Sequence, residues 1–342
     1  MDKYIIAVDA MGGDHAPGET VKGSVQALAE NNDIKIILLG IEDKIKQELN
    51  KYTYDKDRLE IVHTEEIIET EDNPTSAIKQ KKDSSMVVGM NLVKEGRAMA
   101  LVSAGNSGAL LAGSTVIIGR IKGVARPALG TLIPNRKGFT FLIDSGANVD
   151  CKPQYLLQFA QIGSIYMEKI MGIKNPRVGL INNGSEKGKG NALTKEAYPY
   201  LEECETINFI GNVEARDIPM GAVDVAVCDA FVGNIILKYT EGFAKAIMGM
   251  IKDEFMSSFM SKMGALMAKG AFKNLKKRFD YSEVGGAPFL GLKKLVVKAH
   301  GSSDAKAIKG AVNQAYIFIS SSLNESIEEA VREKDDSGET EE

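Results

Sequence analysis

Residues 7 to 19, AVDAMGGDHAPGE, set Asp9, Asp14, His15 and the pair Gly12 and Gly13 directly after an apolar run. Carboxylates and an imidazole can move protons or orient a reacting group, and adjacent glycines let backbone N–H groups come close to a ligand. The pairing of an apolar run with a polar, glycine-rich loop recurs along the chain. GNSG holds Asn106 and Ser107, SGANVDCKP holds Asn148, NGSEKGKGN holds Lys187, Lys189 and Asn191, and FVGN holds Asn234. KAHGSSD adds Lys298 and His300. Such residues beside a helix start suit an anion cradle, because a helix N-terminus offers free N–H groups and the positive end of its dipole. The same Asn and Ser residues are also ordinary helix caps, and sequence does not separate the two roles.

These loops need elements to hold them. YIIAVDAM, MALVSA, FTFLID, RVGLIN and VDVAVCDA read as buried strands, and ETVKGSVQALAE, SGALLAGSTVIIGR and PQYLLQFAQIGSIYMEKI read as the helices that follow three of the loops. The alternation predicts an α/β fold: a three-layer α/β/α sandwich with a mostly parallel doubly wound sheet. In such a sheet the loops leaving the strand C-termini share one rim, so all five loops are expected to build one site. Residues 1–324 are expected to form a single large α/β domain carrying a helical hairpin over about 234–280, and 325–342 an acidic, disordered tail.

Composition narrows the function. The chain has 342 residues, 44% of them hydrophobic, and a net charge of −4. From Glu325 onward nine acidic residues face two basic ones, leaving 40 basic and 37 acidic residues, a net +3, before that point. A body this weakly basic, with no Trp, excludes a dedicated nucleic-acid binder. Cys151, Cys204 and Cys228 have no metal-ligand or disulfide spacing, and a reducing cytoplasm is expected. Asp9 interrupts the N-terminal apolar stretch, so no secretory leader is expected. The longest apolar run, Ala109 to Ile118, falls short of the roughly 20 residues of a membrane span.

Familiar motifs fail. GSEKGKGN, 184–191, has three residues between its glycines where a nucleotide P-loop needs four, and Gly190 stands where the magnesium-binding hydroxyl belongs. No GxSxG elbow, HExxH pair or dinucleotide fingerprint is present, and no covalent nucleophile is evident.

The remaining pattern is a resemblance. IAVDAMGGDHAP, SAGNSGAL, GRIKGVARPAL, DSGANVDCKP, KGN at 189–191, INFIGNVEARDIP, GGAPFLG and KAHGSSD, in order from about residue 4 to 320, together resemble the phosphate acyltransferase (PlsX) family of bacterial phospholipid synthesis. The resemblance implies transfer of a fatty acyl group from acyl carrier protein to inorganic phosphate, without metal or cofactor. It also implies a homodimer with a core akin to phosphotransacetylases and isopropylmalate dehydrogenases. One departure is Ala230, where the family carries glycine, which puts in doubt a glycine backbone geometry at that turn. Phosphate is itself the nucleophile and a thiolate leaves, so such an enzyme must supply a phosphate cradle, oxyanion donors and orientation.

With that resemblance, His15, Lys189, His300 and Asp9 are candidate catalytic residues, Asp9 being equally a loop organiser. Gly12, Gly13, Asn106, Ser107, Asn148, Lys187, Asn191, Asn234 and Lys298 are candidate binders of phosphate or acyl group. Lys79, Lys81 and Lys82 offer a basic landing site for an acidic carrier. Met256, Phe259, Met260, Met263 and Met267 recur at helical spacing ahead of a basic cluster, Lys269, Lys273, Lys276, Lys277 and Arg278. That stripe is either core or dimer interface, or the apolar tip of a hairpin, turning near Gly264 or Gly270, that touches the membrane with Met260, Met263 and Leu266. The membrane reading would suit delivery to a membrane-bound glycerol-3-phosphate acyltransferase. Competing readings are acyl-CoA:phosphate transfer and a non-catalytic, membrane-peripheral adaptor for acyl carrier protein.

Overall fold

Alternate residues of each strand enter different cores. Ile6 and Val8 pack on one face of the sheet and Ala7 between them on the other. Phe141 and Ile143 face one way and Leu142 the other. Side chains along a strand alternate with period two, so both faces of this sheet are covered. The computed structural model describes residues 3–272 and 285–338, with side chains as far as Val331.

The strands are β1 (Tyr4–Asp9), β2 (Ile34–Gly40), β3 (Leu59–His63), β4 (Ala100–Ser103), β5 (Ala128–Asn135), β6 (Gly138–Ile143), β7 (Arg177–Asn182), β8 (Asn208–Glu214), β9 (Val225–Val227), β10 (Ala287–Leu290) and β11 (Leu295–Lys298). The helices are α1 (Gly18–Glu30), α2 (Glu42–Leu49), α3 (Pro74–Gln80), α4 (Ser85–Lys94), α5 (Ser107–Ile117), α6 (Pro153–Lys169), α7 (Ala192–Glu202), α8 (Ala230–Met256), α9 (Phe259–Met267), α10 (Ala305–Ser320) and α11 (Leu323–Gly338). The strands form one sheet in the order β3-β2-β1-β4-β11-β10-β5-β6-β9-β7-β8. Apolar residues of α1, α2, α6, α7, α10 and α11 cover one face, and those of α3, α4, α5 and the start of α8 cover the other. This is the three-layer sandwich the alternation predicts.

The sheet is mostly parallel but not of one direction. β10 runs antiparallel to β11 and to β5, and β5 runs antiparallel to β6. Those three reversals leave β3, β2, β1, β4 and β11 pointing one way and β6, β9, β7 and β8 the other. The expectation of a single rim is therefore corrected. Loops after β1, β4 and β11 leave one edge, and loops after β6, β7 and β9 leave the opposite one. Two of the reversals have a local reason: β5 and β6 are joined by Arg136 and Lys137, and β10 and β11 by residues 291–294, and connections this short permit only antiparallel pairing. The third, between β10 and β5, pairs segments far apart in the chain.

Two boundaries also differ from expectation. The long helix of the hairpin starts at Ala230 and the chain turns at Ser257 and Ser258, where the Ser258 hydroxyl caps α9 by accepting the Ser261 N–H at 3.1 Å. Gly264 lies inside α9, so it does not make the turn. Lys273, Lys276, Lys277 and Arg278 lie outside the described residues. Among the described residues no helix is long and apolar enough to cross a membrane.

The acidic segment, expected to be disordered from residue 325, instead forms α11 as far as Gly338. Leu323 and Ile327, one helical turn apart, are fully buried in the core shared with α6 and α10. Ile327→Ala should cost about 2–4 kcal/mol and lower the midpoint of a thermal melt by several degrees. An unchanged midpoint would mean that α11 does not dock on the core.

Candidate active site

Three neighbouring strands, β1, β4 and β11, end at one edge, and their loops are stitched together there. Asp9 closes β1 with only 2% of its surface exposed. Its carboxylate accepts the Ser85 hydroxyl at 2.6 Å, the Ser103 hydroxyl at 2.7 Å and the Met11 N–H at 3.2 Å. Burial raises its pKa and these donors oppose the rise. Asp9 thus ties β1 to the start of α4 and to β4, a positioning role. Gly13 has φ +100, and a side chain there would press on Ala104 and the Gly301 carbonyl at 3.0 Å. The next N–H, of Asp14, donates to that same carbonyl at 2.8 Å. His15 follows on the exposed face of the loop, its ring without a hydrogen-bond partner among the described residues.

Lys298 closes β11 beside them. Its ammonium donates to the carbonyl of Ala104 at 3.3 Å and to that of Ala299. Burial lowers its pKa to about 8; Asp9 and Asp14 pull upward, and Lys238 pushes further down. His300 Nδ1 accepts the Ser302 N–H at 3.2 Å, so the neutral imidazole carries its proton on Nε2. Burial and the charge of Lys238 lower its pKa, which keeps it neutral near pH 7.

The helix starts divide their tasks. At α10 the Asp304 carboxylate takes the Ala307 N–H and Glu19 takes the Ala305 N–H at 2.7 Å, so carboxylates already occupy that end. At α5 the Asn106 oxygen accepts the Ala109 N–H, while its amide donates to the carbonyls of Glu69, Thr70 and Asp72. The Asn106 side chain is a cap and a clamp on that loop. Ser107, next in line, is exposed at the first turn.

The opposite edge contributes a helix. Asp144, after β6, accepts the N–H groups of Leu129, Gly146, Ala147 and Asn148 and the Asn148 amide. The Asn148 carbonyl accepts the Ala230 N–H at 2.8 Å, and Asp229 caps α8 through Val232. Asn148 is thereby scaffolding for α8. Ala230 is the first residue of α8 and has no positive φ, so the missing glycine is not needed there. Gly233 lies against the Asp144 carbonyl, which a side chain would strike, and this contact fixes the roll of α8.

With that roll, Asn234, Lys238, Glu241 and Lys245 share one face, within about 60° at 100° per residue. The charges of Lys238, Glu241 and Lys245 act on His300, and that of Lys238 on Lys298. One face of α8 therefore looks onto the β1, β4 and β11 loops. Asn234 is exposed one turn before Lys238 on that face.

The loop after β7 stands apart. Lys187 pairs with Glu202 at 2.5 Å and lies over the Tyr198 ring, and Asn191 caps α7 through Thr194. Lys189 is exposed on the same loop. This loop leaves the other edge, and the bonds that join the β1, β4 and β11 loops do not extend to it. Sequence reading also passes over Lys238 and Glu241, whose only signal is their helical spacing of four and seven from Asn234. Ser85 has no signal, being 76 positions from the carboxylate it holds.

The family described as fatty acid synthesis protein matches residues 4–326. A phosphate acyltransferase of Alkaliphilus oremlandii is 54% identical over 326 residues, covering 95% of this chain and 97% of its own. One of Clostridium botulinum is 52% identical over 324 residues, covering 95% of this chain and 96% of its own. Among solved structures, a phosphotransacetylase from Streptococcus pyogenes superimposes with a TM-score of 0.61 at 18% identity, covering 94% of each chain, a likeness of fold. Cationic groups beside a glycine loop, with no side-chain nucleophile evident among the described residues, suit transfer to an acceptor that is itself the nucleophile, and with these relatives along nearly its whole length the chain belongs to the phosphate acyltransferase family.

Proposed function

We propose that the enzyme transfers a fatty acyl group from the thioester of acyl carrier protein to inorganic phosphate, for use in phospholipid synthesis. The observation that carries this reading is the joining of the Gly12 and Gly13 loop to the β4 and β11 ends, where Asp14 donates to the Gly301 carbonyl at 2.8 Å and Lys298 to that of Ala104 at 3.3 Å. A phosphate oxygen attacks the thioester carbonyl, the tetrahedral intermediate collapses, the carbon–sulfur bond breaks, and acyl phosphate and thiolate separate. Backbone N–H groups of the glycine loop and Ser107 suit the oxyanion, and the exposed His15 suits protonation of the thiolate. No covalent acyl-enzyme is invoked: burial pushes the Cys151 thiol up to about 12 and raises that of the buried Cys228.

An acidic carrier needs a basic landing site near this edge. Lys79 and Lys82 are exposed, and Lys81 is fixed to Asp72 at 2.5 Å in the loop that Asn106 clamps. The exposed apolar stripe of α8, with Tyr239 and Phe243, and the exposed methionines of α9 support a homodimer that rests on a membrane, where a glycerol-3-phosphate acyltransferase would take the acyl phosphate. Acyl carrier protein carrying a fatty acyl thioester should release free thiol only when inorganic phosphate is present, with acyl phosphate trapped as hydroxamate. Release without phosphate would refute the reading, and release from acyl-CoA alone would move it to the phosphotransacetylase type.

A further inference from the structure

We propose that Lys81 is a positioning residue for the acyl transfer, holding the segment 64–73 that seats the Asn106 and Ser107 turn after β4. The inference rests on the transfer to phosphate proposed above and adds a residue to it. Sequence groups Lys81 with Lys79 and Lys82 as a landing site, but its ammonium is engaged inside the fold. It donates to the Ile67 carbonyl at 2.8 Å and to the Asp72 carboxylate at 2.5 Å, with the two side chains only 31% and 28% exposed. The same Asp72 oxygen accepts the Glu69 N–H at 2.8 Å. Lys81 thereby fixes the stretch 67–72, whose carbonyls at Glu69, Thr70 and Asp72 accept the Asn106 amide at 3.3, 2.9 and 3.2 Å. Asn106 in turn accepts the Ala109 N–H at 3.0 Å and sets the start of α5, where Ser107 is the first residue.

The backbone of Lys81 leads the other way, to the glycine loop. Its carbonyl accepts the Ser84 hydroxyl at 2.7 Å and the Ser84 N–H at 3.2 Å, and the Ser84 oxygen caps α4 through the Val87 N–H at 3.4 Å. The next residue, Ser85, donates to Asp9, which accepts the Met11 N–H just before Gly12. Asp83 of the same turn accepts the Glu65 N–H at 2.8 Å and donates its own N–H to the Glu66 carboxylate at 3.0 Å. Asp83 thus holds residues 65 and 66, and Lys81 reaches beyond them to 67 and 72. One short turn ties the Asn106 side of the site to the Asp9 side, and charge-assisted bonds are the strong ones in that tie. A shift of about 1 Å in a group that orients substrate can cost on the order of a hundredfold in rate. A landing lysine works differently, through a free charge that salt screens, and the charge of Lys81 already faces Asp72.

The test compares Lys81→Met and Lys81→Arg with the wild-type chain. Lys81→Met should lower kcat about ten- to a hundredfold, with the KM for acyl carrier protein within about twofold and the loss the same at low and high salt. Lys81→Arg keeps the charge and the donors and should recover most of the loss. Amide hydrogen exchange, followed without any substrate, should quicken in Lys81→Met at Glu69 and Ala109 by about tenfold while Leu38 in β2 keeps its protection. A raised KM for the carrier at unchanged kcat would return Lys81 to the landing site and overturn the inference. So would normal turnover of Lys81→Met, unchanged exchange at Ala109, or a loss of protection that extends to β2. A wild type that releases no thiol to phosphate overturns both this inference and the reading beneath it.

Discussion

Lys298→Met should reduce turnover by about a thousandfold, the scale expected when a positioned electrostatic donor is lost, while the chain still folds. The argument begins with burial. A lysine whose pKa falls from its usual value to about 8 is cationic at neutral pH but loses its charge as pH rises through 8. If the cation orients phosphate, the wild-type rate should decline above about pH 8, because phosphate is then a dianion with no charged partner at β11. Lys298→Arg should remove that alkaline limb even if its overall rate is lower, since a guanidinium stays charged throughout. The stability sign is opposite. Between about pH 8 and 10.5 the unfolded chain binds more protons than the folded one, so this lysine opposes folding at neutral pH and the opposition fades as pH rises. Lys298→Met should therefore not lower the thermal midpoint at pH 7. A flat rate between pH 7 and 9.5, or near-normal turnover of Lys298→Met, would remove Lys298 from the chemistry.

How much of this was legible follows from what each signal encodes. The run YIIAVDAM and the loop after it carry their own information: apolar residues demand burial on both faces, and glycines with Asp mark the turn. The placement of β1, β4, α5 and α6 follows from such local patterns. The reversal of half the sheet does not, because it depends on β10 and β11 inserting between β4 and β5, a pairing of segments far apart in the chain. Asn148 and Asn106 show the limit at the site. Their residue type permits a cap, a clamp or a ligand donor, and only the positions of Asp144 and of the carbonyls at 69–72 assign them to scaffolding. Gly233 shows the converse, an ordinary helix residue in sequence whose approach to the Asp144 carbonyl leaves no room for a side chain.

Phe243→Asp should convert a dimer into monomers, whereas Met260→Asp, Met263→Asp and Leu266→Asp together should abolish sedimentation with anionic vesicles and leave both dimerisation and soluble turnover near normal. Two different apolar surfaces motivate the contrast. On α8, Ile235, Tyr239, Phe243 and Ile247 follow one another at intervals of four, all exposed, with the Tyr239 and Phe243 rings stacked at 5.6 Å. They lie away from the polar face of Asn234, Lys238, Glu241 and Lys245, along a helix of about 40 Å. A straight, ordered stripe of this kind needs an equally ordered complement, and a second copy supplies one through a two-fold axis. On α9 no residue is buried, and Phe259, Met260 and Met267 are each more than three-quarters exposed, with Lys262 and Lys269 beside them. Flexible thioethers flanked by cations suit a fluid apolar phase under anionic headgroups better than a fixed protein partner. Loss of the dimer in the α9 variant would assign that surface to subunit contact and remove the membrane from the proposal. Vesicle binding retained by the α9 variant would do the same, because a dimer through α8 would leave no other exposed apolar stripe among the described residues of the hairpin.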